Sequence, residues 1–354
     1  MKVPSFASFG ILAPVLCLLL LAGLLSACTQ DQASLPVQSG SATEAAQEEN
    51  RLPFAGVMEQ AARLHSEAAR LIREEKLARG IPLSEGDKLG IGLLGDEFTA
   101  IMTTSAALPE KRTSQLPDFA ALCVRYFYEA GLKAGDAVGA NFSGSYPGLN
   151  LAVLCAAEVM DLDLRYTTSV GSSAYGADIP QYTFPEMVRT VYDAGLISRM
   201  PELITLGGGG DMGRNMIGYV IGDPDDIALI EEMIARLKAN GLAPAEIESY
   251  AQDIALHEEL YGEIKLFVNA GGNSLGLGAG ENSYMLKTGN GLLAPREIEL
   301  SPYSGLSERY LAAGIPVVHL LAVRLLCEEN GIPFDPDELP VIGTTGVYYR
   351  RDTP

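Results

Sequence analysis

Ser143 and Ser145 flank Gly144 where a short apolar stretch starting at Ala137 gives way to a second apolar run beginning near Leu149. A Ser-Gly-Ser break between a strand and a helix start leaves backbone N–H groups unpaired at the positive end of the helix dipole. That is a ready anion site. The same turn would present a hydroxyl as a nucleophile, Ser143, with Ser145 beside it. Of the three histidines, His65, His257 and His319, only the last follows a strand-like apolar run, Pro316-Val317-Val318. His319 is therefore the candidate general base, with Asp211 or Asp96 to orient it and turn N–H groups as an oxyanion hole. Ser143, His319 and Asp211 form the expected catalytic set for acyl chemistry. Against that set, Asn141 stands where a Gly-x-Ser-x-Gly elbow has its first glycine. The structural alternative for His319 is a satisfied core histidine. His65 reads as a surface or half-buried structural residue, and His257, beside Glu258 and Glu259, as part of a solvated helix face.

Three further Gly/Ser breaks follow strand-like runs: Ser169-Val170-Gly171-Ser172-Ser173, Gly207-Gly208-Gly209-Gly210-Asp211 and Gly271-Gly272-Asn273. Such turns at the ends of strands in one open sheet line a single crevice. The expected ligand-binding residues are Lys111, Arg112, Ser145, Asn150, Ser169, Ser172, Ser173, Gly208, Gly209, Gly271, Gly272 and Asn273. Arg112 and Lys111 suit a carboxylate or phosphate, Arg with a bidentate grip; in so acidic a chain they equally serve to balance neighbouring charge. Four glycines in a row suit a ligand-facing turn, since they tolerate close backbone approach and positive φ at an entropic cost. No Gly-Lys-Ser/Thr phosphate loop and no dinucleotide glycine pattern in a strand–turn–helix context is present, so no cofactor is expected. Asp96, Glu97, Asp211 and His319 could serve a metal-assisted amidase, but no helix-spaced His-Glu motif supports it and no metal is expected.

Strands alternating with helices must position these turns. Helical periodicity predicts helices over 54–79, 119–130, 149–159, 184–194, 225–240 and 244–261. Strands are expected over 89–94, 137–142, 164–169, 202–206, 263–268 and 314–319, with a final edge strand over 341–350. The Gly-rich segment 274–301 lacks periodicity and reads as a lid or binding loop. The expected fold is α/β: a mainly parallel sheet with helices on both faces, a Rossmann-like three-layer sandwich, preceded by an N-terminal helix.

A chain of 354 residues has ample core for one large α/β domain or two small ones. Its net charge is −20, with 25 Lys and Arg against 45 Asp and Glu; losing a leader that carries only Lys2 makes it −21. Such a surface repels nucleic acid and anionic lipid, and resists a polyanion unless a local basic pocket or divalent cations intervene. Lys2, an apolar run over 11–25 and then Leu25-Ser26-Ala27-Cys28 read as a lipoprotein-type export signal over 1–27. Cys28 would become the lipidated first residue and membrane anchor, facing outside the cytoplasm in the cell envelope; the alternative is an uncleaved signal anchor. Residues 28–52 read as a flexible tether, 53–80 as an N-terminal helix and 81–354 as an α/β domain. Cys123, Cys155 and Cys327 sit in apolar runs as small buried hydrophobes, without metal-ligand spacing.

With these residues in view, the chain resembles the poly-γ-glutamate system protein family from about Gly90 onward. The resemblance rests on Lys111-Arg112-Thr113-Ser114, Phe142 to Pro147 with Leu149-Asn150, Ser169 to Ser173 with Gly176-Ala177, Gly207 to Asp211, and Pro316 to Leu321. It implies an envelope role in making, handling or attaching the polymer, with the polymer or its precursor and the synthesis or export machinery as partners. Two functions follow: a binding or assembly factor whose crevice holds γ-glutamyl carboxylates, or a Ser/His hydrolase or transferase on γ-glutamyl amide bonds.

Overall fold

The computed structural model describes residues 49–278 and 289–351. The expected export signal, Cys28 and most of the tether lie outside the described residues, as does part of the expected lid.

Six strands form the main sheet: β2 (Ala137–Phe142), β3 (Asp163–Ser169), β5 (Leu203–Thr205), β6 (Leu266–Ala270), β7 (Gly291–Leu293) and β8 (Val317–Leu320). Their order is β5-β3-β2-β6-β8-β7. Every neighbouring pair is parallel except β7 on β8, so the sheet is mixed with one antiparallel edge. From β2 the chain winds outward to β3 and β5, then returns to the other side of β2 at β6 and proceeds to β8. The reversal makes the carboxyl ends of β2 and β6 a topological switch point, where open α/β sheets leave a crevice. A separate two-stranded parallel ribbon pairs β1 (Met102–Thr104) with β4 (Ser172–Ser173).

Alternation along the strands divides the core. Val138, Ala140 and Phe142 with Leu266, Val268, Ala270, Val318 and Leu320 share one cluster with α1 (Ala55–Ala78), α3 (Asp118–Glu129) and α4 (Pro147–Val159). Phe267 and Val317 point the other way, into a cluster with α8 (Tyr250–Tyr261) and α10 (Leu306–Ala312). Period-two alternation in strands buried on both sides produces this split. Helix α4 is buried along almost its whole length, from Pro147 to Ala157, as an all-round apolar helix must be.

The remaining helices are α2 (Leu108–Thr113), α5 (Phe184–Asp193), α6 (Ile217–Ile221), α7 (Pro224–Ala239), α9 (Ser274–Leu277) and α11 (Val323–Asn330). Segment 89–94 is not a strand. Gly90 and Gly92 take φ of +63° and +98°, and the backbone is satisfied by side chains instead of a ladder. Asp87 accepts from the Ile91 and Gly92 N–H groups, Gln115 accepts from Leu93 N–H, and the buried Lys76 donates to the Leu94 carbonyl. Segment 341–350 holds a 3₁₀ turn, Gly346–Tyr348, and one bridge from Tyr349 to Arg51, not an edge strand; β7, out of the expected loop, takes the sheet edge.

Candidate functional site

The strand-end turns do converge. A cleft of about 470 Å³ at the switch point is lined by Ser143, Ser145 and Tyr146 after β2, and by Ser169, Gly171 and Ser173 after β3. Gly208 and Gly209 after β5 and Gly272, Asn273 and Ser274 after β6 complete the ring. The β1 strand and the start of α2 close one side through Thr103 to Ala107 and Glu110. Glu110 is the one charged side chain in the lining among the described residues.

Interlocking turns hold this shape. The Ser143 carbonyl accepts from Asn150 Nδ2 at 2.7 Å, so Asn150, fully buried on α4, fixes the turn from behind and does not reach the cleft. The Ser145 hydroxyl accepts from Ser173 N–H at 3.0 Å, and Ala177 N–H donates to the Gly144 carbonyl at 2.7 Å. Ser172 is buried at 0% exposure and donates its hydroxyl to the Ser173 carbonyl; it too lies behind the lining. Gly208 has φ +76°, and a Cβ there would lie 1.9 Å from Asn215 Oδ1, which accepts from Gly209 N–H. No other residue fits, because both the backbone and the space exclude a side chain. Gly271 sits just outside the lining, where a Cβ would come 3.5 Å from Ser143 Oγ.

Lys111 enters under the floor. It is fully buried on α2, and its Nζ donates to the Ser145 carbonyl and lies 2.6 Å from Ser173 Oγ. The same Nζ stands 3.7 Å from the centroid of the Tyr146 ring, a cation–π distance. Burial pushes the Lys111 amine down to about 7, with Asp178 and Glu110 pulling the other way. Asp178, itself buried, is pushed up to about 7 by desolvation, against the Asp96 N–H it accepts. Lys111 and Ser173 thus form a buried amine–hydroxyl pair opening onto the cleft.

The remaining expected residues lie elsewhere. Arg112 does not face the cleft: its Nε and Nη2 grip both Asp335 oxygens at 2.8 and 2.7 Å. Ser143, His319 and Asp211 are not brought together. Ser143 follows β2, whereas His319 is on β8, two strands away across β6, and no hydrogen bond joins them among the described residues. His319 is buried, its Nδ1 3.1 Å from Asn269 Nδ2; Asn269 Oδ1 in turn accepts from Asn141. These three residues are register partners on β2, β6 and β8, so the polar row lies within the sheet. Asp96 and Glu97 are exposed and outside the lining, as a solvated loop would be.

No family model, curated protein or solved structure matches the chain.

Asp211 belongs to a second buried group with Asp253 and His257, whose ligand-type atoms lie within 4.8 Å of one another. Asp211 Oδ2 accepts from Thr205 Oγ1 at 2.9 Å, and His257 Nδ1 lies 3.2 Å from Asp253 Oδ1. Burial and the Asp253 charge raise Asp211. Burial pulls His257 down, but the hydrogen bond and charge of Asp253 outweigh it and the direction is up. Far from lying on a solvated face, His257 is 1% exposed. His65 is buried as well, its Nε2 3.1 Å from the Gly148 carbonyl, and burial lowers it to about 4.

Sequence reasoning missed the far wall of the cleft. Thr103, Thr104 and Ser105 form a visible hydroxyl run, but only the β1–β4 pairing brings it to Ser173. Tyr146 directly follows the Ser-Gly-Ser break but was not singled out, and Asn215 carries no local signal.

Proposed function

We propose that the switch-point cleft binds a γ-glutamyl polymer or its precursor, and that the protein is an envelope-anchored accessory factor of poly-γ-glutamate synthesis or export. One observation carries this reading. The segments that give the chain its resemblance to the poly-γ-glutamate system proteins, 111–114, 142–147, 169–173, 207–211 and 316–321, are far apart in sequence, yet each puts at least one residue at or under one cleft: Lys111, Ser143 and Ser145, Ser169 and Ser173, Gly208 and Gly209, and Leu321. A γ-glutamyl chain alternates amides with carboxylates. Ser143, Ser145 and Ser169 supply hydroxyl donors to it, and the Gly208–Gly209 and Gly272–Asn273 turns let its backbone approach closely. Among the described residues no basic side chain lines the cleft, so its neutral hydroxyl and backbone donors must hold the carboxylates, and Glu110 at the wall suits the ammonium of a free glutamyl end. Arg112, held by Asp335, plays no part. The doubly covered sheet fits a Rossmann-like three-layer arrangement whose antiparallel edge is an addition. Cys28 would tether the protein to the membrane.

Titration calorimetry of the full chain in mild detergent against γ-glutamyl oligomers tests the reading. Binding weakened by Ser145→Ala and by Gly209→Val supports it. Equal affinity in wild type and both variants, or no binding at any oligomer length, removes it.

A further inference from the structure

Ser173 and Lys111 have a geometry that binding alone does not require. Ser173 lines the cleft and its Oγ lies 2.6 Å from Lys111 Nζ, while the amine is sealed from solvent by Tyr146 and the Ser145 turn. The Ser145 carbonyl takes one N–H of the amine. That contact fixes the direction of the nitrogen, so an unprotonated amine keeps its lone pair for the Ser173 hydroxyl proton. Ser145 Oγ anchors Ser173 N–H, which holds the nucleophile's backbone against the same turn. A hydroxyl, a base in hydrogen-bond reach and a third group orienting both form the pattern of an activated nucleophile.

We infer that Ser173 and Lys111 are a serine–lysine pair that cleaves or transfers amide bonds of a chain held in the cleft. Its substrate class, γ-glutamyl amides, rests on the reading above; the pair itself does not. In the first step Ser173 Oγ bonds to the amide carbonyl carbon as its proton passes to Lys111 Nζ. The C–N bond then breaks, and Lys111 returns the proton to the departing amine. Water adds to the resulting Ser173 ester, giving a proton to Lys111; the ester C–O bond breaks, the proton returns to Ser173 Oγ, and a carboxylic acid leaves. An incoming amine in place of water yields transfer. The groups facing Lys111 are Asp178, Glu110 and Tyr146, and the first two favour its protonated form. Burial opposes them and brings the amine near neutrality, where a general base works best.

The test treats the full chain in mild detergent with a fluorophosphonate. This electrophile bonds phosphorus to an activated serine oxygen as fluoride leaves and the proton passes to the base. Mass spectrometry locates the label, and polymer length is followed in parallel. The label falls on Ser173, and its rate rises with pH across neutrality as Lys111 loses its proton. Ser173→Ala abolishes it and slows polymer cleavage or transfer roughly a thousandfold or more. Lys111→Met slows both by about 10²–10⁴-fold. Should that variant fail to fold, the wild-type pH profile decides: a rate flat from about pH 5 to pH 9, beyond the reagent's own dependence, overturns the pair. Polymer binding with no label on Ser173 overturns the pair and leaves the binding function standing. Label on Ser173 with no polymer binding upholds the pair and removes γ-glutamyl chains as its substrate.

Discussion

Gly148 offers the sharpest test of how the site is assembled, because it is where α4 meets the end of α2. A Cβ built there would lie 2.3 Å from the Ser114 carbonyl oxygen and 2.7 Å from Gln115 Cα, both main-chain atoms. Relief needs a shift of about 1 Å of one helix against the other, since ordinary van der Waals contact starts near 3.5 Å. Overpacking of this kind costs about 1–3 kcal/mol, and rigid backbone on both sides places Gly148→Ala at the upper end. The intrinsic gain of alanine over glycine in a helix, up to about 1 kcal/mol, offsets part of it. The net loss is about 2 kcal/mol, or a fall in Tm of about 4 °C in a chain of this size. Gly56 in α1 is the internal control: a Cβ there meets nothing within 4 Å, so Gly56→Ala raises Tm by a degree or two. Scanning calorimetry of both variants reads the result. The same shift moves the Ser145 turn off Lys111, so Gly148→Ala also weakens ligand binding. A Tm for Gly148→Ala at or above that of Gly56→Ala would refute the close approach of α2 and α4.

Arg112→Ala removes a bidentate pair with Asp335 that is less than one-fifth exposed on either side. The expected loss is about 1 kcal/mol in urea unfolding, with unchanged affinity for γ-glutamyl oligomers; weakened binding would return Arg112 to the cleft. The Asp211–Asp253–His257 group makes stability depend on pH. Asp211 is raised from 3.8, so the folded state holds a proton that the unfolded chain has lost, and stability falls as pH rises from that value. His257 is raised from 6.5, so its contribution is full below that value and is lost as pH climbs through the higher folded one. Both act in the same direction. Asp178, raised in the same way, adds to the trend, whereas His65 and Lys111, lowered by burial, oppose it, so the share of this group is read from the variant: Asp211→Asn should shift the pH dependence of the urea midpoint toward greater stability at high pH relative to low pH. An unchanged pH dependence would show that Asp211 is ionised throughout.

Local signals made much of this legible. The strand at 137–142, the Ser-Gly-Ser break and the apolar helix after it stand in the structure as read, because propensity, turn residues and burial agree there. The other Gly/Ser turns also reached the same cleft, since parallel strands place their carboxyl ends on one side. What failed depended on distant partners. Segment 89–94 has strand-like residues, yet Asp87, Gln115 and Lys76 satisfy its backbone from outside. Strand β1 exists only through its pairing with Ser172 and Ser173. His257 looked solvated beside two glutamates, but one face of α8 turns it toward Asp253. Lys111 sits between Glu110 and Arg112 in a six-residue helix, too short for periodicity to show which of the three points inward. That one orientation converts a surface clamp into a buried base.

Amide hydrogen exchange on the full chain, with and without a γ-glutamyl oligomer, tests the central claim most directly. The account predicts added protection in 143–146, 169–173, 207–209 and 271–274 together, the four turns that line the cleft. Protection confined to other segments, or none at saturating oligomer, would contradict it.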